Sequence, residues 1–93
     1  MLEFEWDDEK AERNLRKHAF SFEDAVRAFE DDYFFELGLE VSPDGEIRKQ
    51  AVAMSGVRIV AIVHAERNRR IRIISARKAN RRERKIYAEN RPE

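Results

Sequence analysis

Apolar and polar residues alternate over Leu2 to Trp6, the pattern of a short edge strand. Asp7 stands where a helix cap belongs, and Asp8 and Glu9 follow it where a helix dipole favours acids, which predicts a helix over Asp8 to His18. Ser21, three residues before Asp24, marks a second start, and Phe22, Ala25, Val26 and Phe29 recur at helical spacing through Glu30. From Tyr33 the period changes to that of strands. Tyr33 to Val41 and Glu46 to Met54 flank Ser-Pro-Asp-Gly, a turn in which Pro43 fixes φ and Gly45 permits a positive one. Gly56 turns the chain again before Val57 to His64. There, Ile59 to Val63 are apolar at consecutive positions, as in a central strand covered on both faces. After a turn at Glu66 to Arg69, Arg70 to Ala76 begins Arg-Ile-Arg-Ile, giving one basic face and one core face, and Asn80 to Asn90 reads as a closing helix. The order β-α-α-β-β-β-β-α predicts an α+β fold in which helices pack on an antiparallel meander.

A chain of 93 residues supports one core, so a single domain over 1–93 is expected. Cysteine is absent, which excludes disulfides, thiolate catalysis and thiolate metal sites. The opening residues lack a basic segment and an apolar run of signal-peptide kind, and Val57 to Ala65 is far too short to span a bilayer. The expectation is a soluble, cytoplasmic protein.

Net charge is zero, but residues 1–46 hold fifteen acidic and five basic side chains while residues 47–93 hold four acidic and fourteen basic. Either the two halves neutralise each other across the fold, or one face meets a polyanion, with nucleic acid the leading class.

Lys10, Asn14, Lys17 and His18 fall on one helical stripe, fit either for phosphate contact or for plain solvation. Within sixteen positions stand Arg70, Arg72, Arg77, Lys78, Arg81, Arg82, Arg84 and Lys85, a density of cations able to neutralise several phosphates. Tyr87 could stack on a base or pack in the core with Ile86. Phe20, Phe22 and Tyr33-Phe34-Phe35 either fill the core under the sheet or leave surface for a partner.

Two motifs resemble one family. The first is Phe4-x-Trp6-Asp7-x-x-Lys10-x-x-x-Asn14-x-x-Lys17-His18-x-Phe20-x-Phe22-Glu23-x-Ala25. The second is Arg72-Ile73-Ile74-Ser75-Ala76-Arg77-Lys78-Ala79, followed by Arg82-Glu83 and Tyr87. Together they resemble the terminal signatures of the BrnT toxins. The resemblance implies a RelE-like ribonuclease fold and the toxin role in a type II toxin–antitoxin pair. It also implies a BrnA-like antitoxin with a ribbon-helix-helix part, through which the complex reaches promoter DNA. Glycine is usual after the Lys-His pair, whereas Ala19 stands here and should resist a left-handed cap, and Asn80 replaces a common threonine.

Metal-independent RNA cleavage needs a base for the 2′-hydroxyl, cations for the crowded phosphorane and an acid for the leaving oxygen. His18 is the favoured acid or base, because imidazole titrates near neutrality. His64 is either a second candidate or a satisfied core residue. Arg72 and Arg77 suit the phosphate, since a guanidinium fork matches its geometry. Lys10, Asn14, Lys17, Lys78, Arg81 and Tyr87 are expected to position RNA. No cofactor and no metal is expected, because the acids at Asp7-Asp8-Glu9 and Asp31-Asp32 are consecutive and point apart. The alternative is a non-catalytic nucleic-acid- or antitoxin-binding module, a degenerate toxin acting in promoter autoregulation.

Overall fold

The computed structural model describes residues 2–92; Met1 and Glu93, the ends of the expected domain, lie outside the described residues. The chain runs β1 (Phe4–Glu5), α1 (Asp8–His18), α2 (Phe22–Ala28), β2 (Phe35–Val41), β3 (Ile47–Ser55), β4 (Arg58–Arg67), β5 (Arg70–Lys78) and α3 (Arg81–Asn90). The predicted element order holds, and so do the caps. The Lys10 N–H donates to Asp7 Oδ1 at 3.1 Å, and the Asp24 N–H donates to Ser21 Oγ at 3.0 Å. At α3, Asn80 and Glu83 form a reciprocal capping box, each side chain accepting the other's backbone N–H at 2.8 Å. Ala19 departs from expectation. It adopts the left-handed conformation, with φ 53°, and closes α1 by donating to the Leu15 carbonyl.

The five strands form one sheet in the order β1-β5-β4-β3-β2. The meander β2 to β5 is antiparallel, but β1 pairs parallel to β5, with Phe4 opposite Ile71 and Glu5 opposite Arg72. The sheet is therefore mixed, a correction to the all-antiparallel expectation. Its cause lies in α1, which continues along the outer edge of β5 from where β1 stops and so carries the chain in the direction of β5. Asn14 makes that junction. Its side-chain amide donates to the Ala76 carbonyl at 2.7 Å and accepts from the Ala76 N–H at 3.2 Å, serving as a one-residue substitute for a neighbouring strand. A further bond to the Phe20 carbonyl, 2.9 Å, ties down the turn after α1.

Helices α1 and α2 cover one face of the sheet. Phe20, Phe22, Ala25 and Ala28 pack there on Ala53, Val60, Ile62, Ile73 and Ala76. On the other face α3 covers one end only, seating Tyr87 on Val52 and Ala61. The consecutive apolar run of β4 is thus shared between two cores, as its pattern predicted. Phe20 and Phe22 are fully interior, Phe34 and Phe35 are half-buried, and Tyr33 remains at the surface, so most of the aromatic surplus fills core instead of awaiting a partner.

Candidate active site

The face not covered by α1 and α2 is open beyond α3. Three cross-strand rows cross it. The row under α3 is Phe35, Val52, Ala61, Arg77; the next is Gly38, Gln50, Val63, Ser75; the third is Glu40, Arg48, Ala65, Arg72, Glu5. Arg72 and Arg77 share this face only because β5 is irregular. The β4–β5 register steps from Val63 opposite Ser75 to His64 opposite Ile73, which leaves Ile74 as an extra residue. Side chains alternate along a regular strand, so positions 72 and 77 would otherwise point to opposite faces. The bulge reverses the parity and places Arg72, Ser75 and Arg77 together.

Both arginines have carboxylate partners. Arg77 meets Glu83 end-on, Nη1 donating to Oε1 at 2.7 Å and Nη2 to Oε2 at 2.9 Å, and Nη1 also reaches the Lys78 carbonyl at 3.3 Å. Of the five guanidinium N–H groups, Nε–H and the outer N–H of Nη2 stay free. They form a side-on fork suited to a phosphate. The Arg77 hydrogen bonds, helped by the Asn80 N–H, hold the buried Glu83 carboxyl below its ordinary range against the opposing effect of burial, and Glu83 raises Arg77 in return. Arg72 donates from Nη1 to Glu5 at 2.9 Å. Arg70 pairs with Glu3, and Arg67 and Arg48 approach Glu46. The acidic and basic halves of the chain therefore neutralise each other in part on this face.

Beyond these pairs lies a second cationic group. Lys10, Arg13, Asn14, Lys17 and His18 of α1 line a cleft of about 350 Å³ together with Ile74 and Ser75. Ser75 joins this cleft to the open face, since it lies in the row between those of Arg72 and Arg77. Arg13 was missed in the sequence, although its place between Lys10 and Lys17 at helical spacing would have found it.

Other expected site residues lie elsewhere. Asn14 is buried with its amide spent on Ala76 and Phe20, so its role is structural and not RNA contact. Tyr87 is 2% exposed and donates to Asp31 Oδ2 at 2.6 Å, which leaves no ring face for a base. Burial, and then the Asp31 carboxylate, push its hydroxyl up to about 12. Asp31 also accepts the N–H groups of Tyr33 and Met54; these bonds with Tyr87 outweigh burial and hold its carboxyl low. His64 faces the opposite side of the sheet, edge-on to Phe29 and Phe34, with its Nε2 buried and unpartnered. Burial, with Lys49 nearby, pushes its pKa down. It belongs to the core and cannot share a phosphate with Arg77. Lys78 stands opposite Val60, on the α1–α2 face, while Arg81 begins α3 at the surface.

Among the described residues no group of three or more His, Asp or Glu side chains is placed to hold a metal ion. No helix among the described residues is long and apolar enough to cross a membrane. The family model described as ribonuclease toxin, BrnT, of type II toxin-antitoxin system matches residues 6–83, from the end of β1 to the first turn of α3. No curated protein matches the chain.

Proposed function

Because the chain belongs to the BrnT family of ribonuclease toxins of type II toxin–antitoxin systems, we propose that it cleaves RNA on the open face of its sheet, around Arg72, Ser75 and Arg77. The observation that carries this reading is the bulge at Ile74, which brings the two arginines to one face beside the cationic cleft of α1. The free side-on fork of Arg77 and the unengaged N–H groups of Arg72 take the phosphate and stabilise its transition state. His18, in the cleft that Ser75 also lines, moves the proton of the 2′-hydroxyl or of the leaving oxygen. Lys10, Arg13 and Lys17 hold the flanking backbone, and Arg81, at the start of α3, lengthens the cationic track, whereas Lys78 lies on the other face of the sheet and takes no part. The reaction is metal-independent and takes place in the cytoplasm. The two N-terminal helices on one face of a four-strand meander support a RelE-like fold. The antitoxin is a BrnA-like ribbon-helix-helix protein, and promoter DNA is reached only through that complex.

Expression without the antitoxin should arrest growth, and Arg77→Ala or His18→Ala should relieve the arrest while the protein stays folded. Purified protein should cleave RNA in the presence of a chelator. Full toxicity of both variants would remove these residues from the reaction.

The carboxylate partners of Arg72 and Arg77 favour a second reading, a non-catalytic module that binds antitoxin or nucleic acid in autoregulation. Protein that shifts RNA in a salt-dependent way and leaves it intact in cells and in vitro would select that reading.

A further inference from the structure

Next to Arg72 and Ser75, the open face carries a depression of about 290 Å³, lined by Gly38 to Glu40, Arg48 to Gln50 and Val63. None of these residues belongs to either terminal motif. Arg48 lies in the row of Arg72 and Gln50 in the row of Ser75, each two strands away, roughly 9.6 Å. A nucleotide adjoining a phosphate held at Arg72 and Arg77 falls within that span.

Three features give the depression the character of a base site. Its floor is Val63, an apolar surface. Its polar groups are mixed: the Gln50 amide both donates and accepts, Glu40 accepts, and Arg48 donates, with its Nε buried and without a hydrogen-bond partner. Arg48 and Lys49 both line the depression, but Glu40 lines it too and Glu46 stands 3.7 Å from Arg48, so a second phosphate would find little net charge there. A base edge needs donors and acceptors together, and unstacked bases are read in this way.

Gly38 supplies the third feature. Its φ is not positive, and a Cβ built on it meets nothing within 4 Å. Crowding does not require glycine here, at the end of a register shift that runs from Glu36 to Gly38 in the β2–β3 pairing. Its missing side chain opens the wall of the depression.

We propose that Gly38, Glu40, Arg48 and Gln50 form a nucleobase subsite that holds the nucleotide beside the scissile phosphate and sets the sequence preference of cleavage, with Gln50 as the reader. This rests on the ribonuclease reading above. The test maps cleavage ends in total RNA from cells expressing the full chain without antitoxin, for wild type, Gly38→Val and Gln50→Ala. Gly38→Val should melt no lower than wild type, because valine suits a strand, and should cleave about tenfold less by filling the space. Gln50→Ala requires no new packing and should change which nucleotide flanks the cut. Wild-type rate and unchanged sites in both variants would overturn the subsite alone. So would unchanged cleavage by Gly38→Val coupled with escape from neutralisation when the antitoxin is co-expressed, which would make the depression a protein contact. Intact RNA with the wild-type protein would instead overturn the ribonuclease reading itself, and this inference with it.

Discussion

Arg77 gives the end of its guanidinium to Glu83 and keeps the side of it free. Glu83 is 5% exposed, and its Oε1 accepts both Arg77 Nη1 and the Asn80 N–H, so one carboxylate caps α3 and orients the arginine. In the proposed reaction Glu83 is a positioning residue. Glu83→Gln keeps the shape but has one acceptor oxygen, so it cannot accept from both Nη1 and Nη2 of Arg77. We expect kcat to fall by roughly ten- to a hundredfold with a smaller change in KM. A rise in KM with kcat unchanged would assign Glu83 only to substrate affinity.

Asn14 should behave as a clasp between α1 and β5. Asn14→Ala leaves the buried Ala76 and Phe20 groups unpaired and should cost about 2–3 kcal/mol. Chemical denaturation measures this directly. A variant of full stability but weakened RNA binding would return Asn14 to the interface.

For Tyr87 the expected loss is one of stability. Tyr87→Phe removes the hydrogen bond to Asp31 and should lower unfolding free energy by about 1–2 kcal/mol. Cleavage per folded molecule should be unchanged, as the ring touches Val52 and Ala61 instead of substrate. Loss of activity at full stability would contradict that placement.

His64 makes stability depend on pH. Its pKa is lowered in the folded state, so the unfolded chain binds the extra proton as pH falls below the ordinary histidine value near 6.5. Its stabilising contribution is complete above that value and is lost as pH falls through the lower, folded-state value. Lys49, its cross-strand neighbour, acts in the same direction, and Glu36 opposes it. The melting temperature of wild type should drop between pH 7 and pH 5 by more than that of His64→Phe, whose ring suits the Phe29–Phe34 cluster. Parallel slopes in the two proteins would show that His64 does not titrate with unfolding.

Ala19 holds a left-handed cap without the freedom of glycine. Ala19→Gly should raise stability by about 1 kcal/mol, read as a higher melting temperature. An unchanged or lower value would show that the unfolded chain's added entropy offsets the relief.

The helix starts were legible because they rest on contacts three residues apart: Asp7 with Lys10, Ser21 with Asp24, Asn80 with Glu83. The buried β4 was legible because its consecutive apolar residues need cover on both faces. The basic run from Arg70 and the α1 stripe were visible as composition and spacing. Which of those cations share a surface was not. That depended on one extra residue, Ile74, whose bulge is defined by pairing with β4 and reverses the face of every residue after it. It depended also on carboxylates of other elements, Glu5 of β1 for Arg72 and Glu83 of α3 for Arg77, and on Asn14 and Tyr87 finding partners 62 and 56 residues away. Local hydrogen bonds and side-chain periodicity are written into neighbouring residues; strand register and burial arise only when distant segments meet.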